Sequence, residues 1–598
     1  MLKKCAAIFM ALVISAFCMT ACSENGSDSD TSSVSTASAD KNTSDSSSSD
    51  STDSSDGSSD DNDSSSETAS DMFADGDYKD VTSETADAEI TLSGNSGTIS
   101  DTARGSSGSE VTITSKGIYK VTGSSEDVSI VINDSTKSGN IYLILDNVSM
   151  KNATTACINV EACDKLIIQC VGENTLTYTN TSEDEKIDGA IYAKDDVTIN
   201  GSGKLNIVSS LHGIVCKEDL KITDSELTIN AESVGIQAKD SVRIGGGTIN
   251  VTSGHDGIKV ANDNSDSYLY FEKADLTVNA GYDGISVNSD AESDTFSGYI
   301  TLNGGTMNIT AGGGSDNSKN SETSQKGIKC AGDITAAETT VTVSSADDAV
   351  HSNGNIIVNS GTLELSTSDD GMTADGDLTI NKGTVNVTKS YEGLEAKNVV
   401  INDGEVSVVS SDDGINTSGG SDTSSDEKGP WGSESTDATL TINGGNIYVN
   451  ASGDGLDSNG SLYITGGTVI VEGPTGDGNG ALDIGDGSDC VASITGGTVL
   501  AIGSTGMAVN FNAGSQCAAL VELSGTSGTE ITVDDGSGFS YTATKDFGCA
   551  VYSSPSMSQG NSYTITAGSS SGTMDFSSSL YYSNVTGGMG GGMRGGRH

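Results

Sequence analysis

The chain has only 3 prolines among 598 residues, one tryptophan, 5% aromatic residues and 29 basic residues against 84 acidic ones. Each scarcity excludes something. A net charge of −55 leaves no basic patch for phosphate, so nucleic acid is excluded as a partner. Few aromatics make the composition unusual, though 598 residues are enough for a large core and more than one domain. Proline is confined to Pro430, Pro474 and Pro555, so long stretches are open to central β-strands, where proline would delete a ladder bond. Cysteines show no C-x-x-C metal spacing. Apart from Cys5, Cys18 and Cys22, they are Cys157, Cys163, Cys170, Cys216, Cys330, Cys490, Cys517 and Cys549. Cys517 and Cys549 could pair; for the rest, small buried residues are at least as good a reading.

Long apolar runs are also absent, with one exception. A basic head, "MLKK", precedes the apolar run Ala6 to Phe17. That run is too short for a permanent span and fits a signal peptide. It ends in "MTAC", which looks like a bacterial lipobox, so residues 1–22 read as a lipoprotein signal segment whose cleavage leaves Cys22 lipidated; an ordinary signal peptide with an incidental cysteine is the alternative. A lipid-anchored protein on the extracellular face of a bacterial membrane is therefore expected, touching the membrane only through that anchor. Residues 23–71 hold 11 Asp, 2 Glu and one Lys among many serines. They cannot bury apolar area and read as a disordered acidic spacer.

What is abundant is glycine, 76 residues, and it recurs in one phrase. Asp369-Asp370-Gly371, Asp412-Asp413-Gly414, Asp347-Asp348-Ala349, His255-Asp256-Gly257 and Gly453-Asp454-Gly455 are variants of it. Aligned on that last residue, Gly213, Gly235, Gly257, Gly327, Ala349, Gly371 and Gly393 recur every 22 residues, with insertions elsewhere. A fixed period of this length marks a solenoid. Each period holds three short alternating strands: one after the glycine, one of the "DLTI" type (Asp377 to Ile380) and one of the "TVNV" type (Thr384 to Val387). Three strands per 22 residues predict an all-β parallel β-helix of about 12 or more coils. It would span residues 181–505, with an N-terminal β cap and first coils at 72–180, a small β domain at 506–585 and a glycine- and methionine-rich tail at 586–598. A monomer is expected.

Stacking places equivalent residues about 4.8 Å apart. The column before the glycine then reads Asp256, Asp283, Lys326, Asp348, Asp370, Glu392, Asp413 and Asp454, and the column before it adds Asp347, Asp369 and Asp412. Neighbouring carboxylates at that spacing repel by roughly 3.5 kcal/mol at an effective dielectric near 20. Calcium, which takes six to eight oxygens, is the natural remedy and the expected cofactor; splayed, solvated carboxylates in Asp-Gly turns are the bland alternative. The column two residues past the glycine, which includes Asn416 and Asp457, reads as outward-facing, and in it Lys259, Lys329 and His351 are candidates to hold the carboxylates of an acidic sugar. Trp431 lies in an insertion, Ser418 to Asp437, and suits stacking on a sugar ring. Tyr282 and Tyr391 are further candidates for the groove. A loop anchor and solvated lysines are the plain alternatives.

The phrases "ITLSGNSGTIS", "GIYKVTG" and "NIYLILDNVSMKN", with the recurrent "DDGI", "LTINGG" and "TVNV", resemble clostridial cell-surface carbohydrate-binding-domain proteins. That resemblance implies a right-handed parallel β-helix similar to calcium-dependent polysaccharide lyases. It also implies calcium on the acidic face and affinity for acidic pectic chains and cellulose. Lys326 and Val234 interrupt the column, which leaves the number of ions open. The main expectation is a non-catalytic, calcium-dependent binder of acidic polysaccharide. A pectate-lyase-like eliminase with Lys329 or Lys259 as base, and an adhesin or spacer without a sugar ligand, remain alternatives.

Overall fold

The computed structural model describes residues 72–180, 186–262, 265–287, 297–417, 437–485 and 487–585. Cys22, the acidic spacer, Trp431 and the 586–598 tail lie outside the described residues. Among those residues there is no α-helix; the protein is all-β, dominated by one large and mostly parallel sheet of 48 strands.

Most strands of the repeat region pair in parallel with the strand three before and the strand three after; where Met372–Ile380 and Leu394–Ile401 each run through two ladders, the step is two. This produces three ladders. The first runs through Ile258–Val260, Ile285–Val287, Ile328–Cys330 and Val350–Ser352. The second runs through Ser241–Ile244, Ser267–Phe271, Gly298–Asn303 and Ile334–Ala337. The third runs through Thr362–Thr367, Thr384–Ser390, Glu405–Ser410 and Asn446–Ala451. Along Glu405–Ser410 the pattern alternates, with Val406 and Val408 buried and Glu405 and Val409 exposed. Ile415 pairs in register with Leu456, and both are fully buried. Identical periods therefore stack identical apolar columns, and one continuous core runs from Ala88 to Val551.

Two devices hold the register. Between the second and third ladders, Gly383, Gly404 and Gly445 adopt φ of +104°, +110° and +86°, a region that favours glycine. Beside them an asparagine ladder climbs the coils. Asn381 Nδ2 donates to Asn359 Oδ1 at 2.9 Å, Asn402 to Asn381 at 2.8 Å and Asn443 to Asn402 at 2.9 Å. The glycine of the acidic phrase serves a different purpose. A methyl on Gly371 would stand 2.4 Å from the Gly393 carbonyl oxygen, and one on Gly414 2.5 Å from that of Gly455.

The ends of the ladders are covered, as exposed sheet edges must be. At the N-terminal end Ala88–Gly94 pairs with Gly117–Glu126 and folds back on Ser96–Ile99. At the other end Phe547–Ser553 lies antiparallel on Thr498–Gly503 and reverses the ladder's polarity. Glu530–Val533, Ser540–Thr542, Ser562–Ala567 and Ser570–Asp575 form a separate antiparallel sheet with its own apolar cluster. The pairing of Cys517 with Cys549 is not formed. All eight cysteines from Cys157 to Cys549 are buried and free. The register places Cys549 opposite Glu522, five residues from Cys517, which sits just before Ala518 opposite Ser553.

Candidate functional site

The acidic phrase lies in the turn that leads into the first ladder, and its aspartates have a structural task that their spacing did not disclose. At five places along the acidic column, one carboxylate oxygen accepts the backbone N–H of the equivalent residue one period later. Asp283 N–H donates to Asp256 Oδ1 at 3.3 Å, Lys326 N–H to Asp283 Oδ1 at 2.8 Å and Asp370 N–H to Asp348 Oδ1 at 3.2 Å. Glu392 N–H donates to Asp370 Oδ1 at 2.9 Å and Asp454 N–H to Asp413 Oδ1 at 2.6 Å. The file thus satisfies turn amides that no ladder reaches. It also brings the carboxylates into mutual repulsion.

The file divides into two halves that relieve this repulsion differently. In the first half, lysines supply the counter-charge. Lys326 Nζ stands 3.0 Å from Asp347 Oδ1 and 2.5 Å from Asp348 Oδ2. Lys319, from the insertion before Gly327, stands 3.3 Å from Asp347 and 2.5 Å from Asp369. His351 Nδ1 approaches Asp348 Oδ2 at 3.0 Å. Burial pushes the Asp348 carboxyl up, but its bonds to His351 and Lys326 outweigh that and hold it well below the usual range. Asp347, Asp348 and Asp369 each offer an oxygen within 4.8 Å of the others, yet this cluster already holds its cations as ammonium groups.

The second half is different. Burial, followed by the charge of neighbouring carboxylates, pushes Asp370 up to about 9 and Asp457 up to about 8. Burial, then Glu395, pushes Glu392 up to about 8, although Asn416 Nδ2 donates to its Oε2 at 2.9 Å. Burial likewise raises Asp454 to about 7 and Asp413 to about 6, each against one backbone hydrogen bond that pulls the other way. No lysine, arginine or histidine forms a recorded ion pair with Asp413, Asp454 or Asp457 among the described residues. These three carboxylates also each offer an oxygen within 4.8 Å of the others. Beside them, Asn416 is 7% exposed, and its Oδ1 is buried with no hydrogen-bond partner. Its strand register places it directly against Asp457. Three carboxylate oxygens therefore converge on one spot, with Asn416 at the strand position next to Asp457.

The other residues singled out from the sequence are dispersed. Lys259 Nζ lies 3.5 Å from Asp256 Oδ2. Lys329 stands in register with Ser286 and His351; burial leaves the Asp283 carboxyl raised to about 6, with the charge of Lys329 offsetting part of the rise. His351 is 3% exposed and faces Asp348 rather than solvent. Tyr282 stacks on His255, with ring centroids 4.5 Å apart. Tyr391 is 48% exposed, and its hydrogen bond to Asp412 pushes its phenol up to about 12. Asp457, Asn416 and Lys319 complete the two clusters and were not among the predicted site residues. Asp457 stood in a column read as outward-facing, and only the register with Asn416 reveals its place.

A family profile described as "Carbohydrate-binding domain-containing protein" matches residues 107–371 and 369–537. The chain belongs to that family. A carbohydrate-binding domain-containing protein of Acetivibrio thermocellus is 34% identical over 130 residues, covering 20% of this chain and 45% of the relative. The chain thus spans under half the length of that relative. A solved structure titled as a polysaccharide lyase-like protein from C. thermocellum, a gadolinium derivative, is 25% identical; the match covers 49% of this chain and 96% of the other, with a TM-score of 0.34. At that TM-score the likeness lends nothing to a functional reading.

Proposed function

We propose that this family member binds acidic polysaccharide through calcium held by Asp413, Asp454 and Asp457, with Asn416 Oδ1 as a fourth ligand. The observation that carries this reading is the asymmetry of the acidic file. One half is neutralised by Lys326 and Lys319. The other half consists of half-buried carboxylates whose burial and mutual charge raise them toward neutrality. A hard divalent ion suits such an oxygen set, and it retains open positions for ligand oxygens. A uronate carboxylate would fill those positions, so the metal bridges two anionic partners that otherwise repel. The pectic class, the lipid anchor at Cys22 and the cell-surface location belong to this proposal, as does the winding of the three ladders into a right-handed β-helix.

An eliminase would need Lys259 or Lys329 to shed its proton. Lys259 is instead engaged in an ion pair with Asp256, 3.5 Å away, and Lys329 serves as counter-charge to Asp283. Binding without catalysis is therefore the reading the geometry favours. Titrating polygalacturonate into the protein calorimetrically, with calcium and then with chelator, tests it. Heat is expected only with calcium; equal affinity in chelator would refute the bridge.

A further inference from the structure

A second feature lies on the second ladder, away from the acidic file. Tyr268 and Tyr299 stand in register on successive coils, their rings 4.7 Å apart and within 4° of parallel. Arg243 stacks beneath Tyr268, its guanidinium carbon 5.0 Å from the ring centroid. That guanidinium is fixed by Asp219 at 2.7 Å and by the Ser241 hydroxyl at 3.0 Å. The result is a braced, three-layer platform. The next coil does not continue it: Ala331, Gly332 and Asp333 stand there instead. A methyl on Gly332 would sit 2.4 Å from the Gly298 carbonyl oxygen, and one on Gly354 2.6 Å from Asp333 Oδ1. The glycines thus let the turns pack closely, and over them, where the aromatic column stops, lies a cavity of about 380 Å³, lined by Asp266, Ser297, Tyr299, Asp333 and Asn353 along with the small residues. That size lies within the range of small-ligand pockets.

We infer that this cavity is a second carbohydrate subsite, which takes an uncharged pyranose without calcium. Tyr299 offers an aromatic wall against which the C–H face of a sugar ring packs. Asp266, Asp333 and Asn353 offer acceptors and donors for its hydroxyls at the rim. Asp266 Oδ1 already accepts Ser297 N–H at 2.7 Å, and Asp333 Oδ1 accepts Asn355 N–H at 2.8 Å. Both carboxylates are thereby held in place before any ligand arrives. Among the described residues no lysine or arginine lines the cavity. Two carboxylates would repel a uronate, so the subsite selects neutral rings while the acidic file selects charged ones. The inference rests on the carbohydrate-binding reading but not on its calcium bridge.

The test uses the full chain in chelator, where calcium-bridged binding is silent. Cellohexaose, xylohexaose and mannohexaose are titrated calorimetrically into wild type, Tyr299→Ala, Tyr299→Phe and Asn353→Leu, with thermal melting as the folding control. At least one hexaose is expected to bind wild type. Tyr299→Ala should weaken it by about ten-fold, and Tyr299→Phe should retain it. If Tyr299→Ala melts early, the exposed-turn variant Asn353→Leu decides in its place, with weakened binding expected. Absence of binding by all three hexaoses, or binding that neither Tyr299→Ala nor Asn353→Leu alters, overturns the inference. Polygalacturonate binding in calcium should be unchanged throughout; its failure would refute the calcium bridge alone.

Discussion

The replacement Asp457→Asn separates the cost of the acidic file from its use. Burial and the charges of Asp413 and Asp483 push Asp457 up to about 8 from 3.8. A carboxyl raised in the folded state favours the acid form there. Its stabilising effect is complete below the unfolded value and is lost as pH rises through the folded one. The shift of about 4 units corresponds to at most ~6 kcal/mol at 1.36 kcal/mol per unit. Charge sharing with Asp413 and Asp454, together with partial solvent screening, reduces this to about 3 kcal/mol. In chelator at pH 9, Asp457→Asn should therefore be more stable than wild type. If roughly 500 residues melt together at ~2.1 cal/mol/K each, the gain is about 3 °C. At pH 3, below the unfolded value, the two proteins should melt alike. Calcium should raise the melting temperature of wild type at pH 9 and leave that of the variant nearly unchanged. Calorimetric melts at both pH values, with and without calcium, decide the matter. A variant less stable than wild type at pH 9 in chelator would refute the reasoning, because it would mean that Asp457 already has a favourable partner.

Calcium affinity should climb between about pH 6 and pH 9, because the ion must displace protons from Asp413, Asp454 and Asp457, raised to about 6, 7 and 8; proton release measured in buffers of different ionisation heat checks the sign. Lys326→Met should cost about 3–5 kcal/mol in denaturant unfolding, since it leaves Asp347 and Asp348 buried without their closest cation. Ile415→Ala, at a fully buried site stacked on Leu456, should cost about 2–5 kcal/mol by the same assay and leave calcium affinity at pH 8 unaltered.

The ladders were legible because a repeat repeats everything. The 22-residue period fixes which residues stack, and the alternation within "TVNV" fixes which ones face inward. The glycines were legible as punctuation, but their reason was not: Gly371 is set by the carbonyl of Gly393, one coil away. The acidic columns were read correctly as columns and incompletely as chemistry. Lys326 interrupted the column and proved to be its counter-charge. Lys319 reaches Asp369 from 50 residues away in an insertion, and nothing in the period points to it. The backbone task of Asp283 and Asp370 was hidden for another reason: an amide has no letter in the sequence. His351 sat in a column expected to face solvent and is buried against Asp348 instead, because the aspartate of its own turn folds back over it. The Cys517–Cys549 pair failed on register, which short antiparallel strands do not reveal.

Calorimetric titration of calcium into wild type and Asp457→Asn, followed by polygalacturonate, tests the central claim most directly. Wild type should bind calcium and, only then, the polymer; the variant should lose both together. Polymer binding that survives in the variant or in chelator would contradict the account.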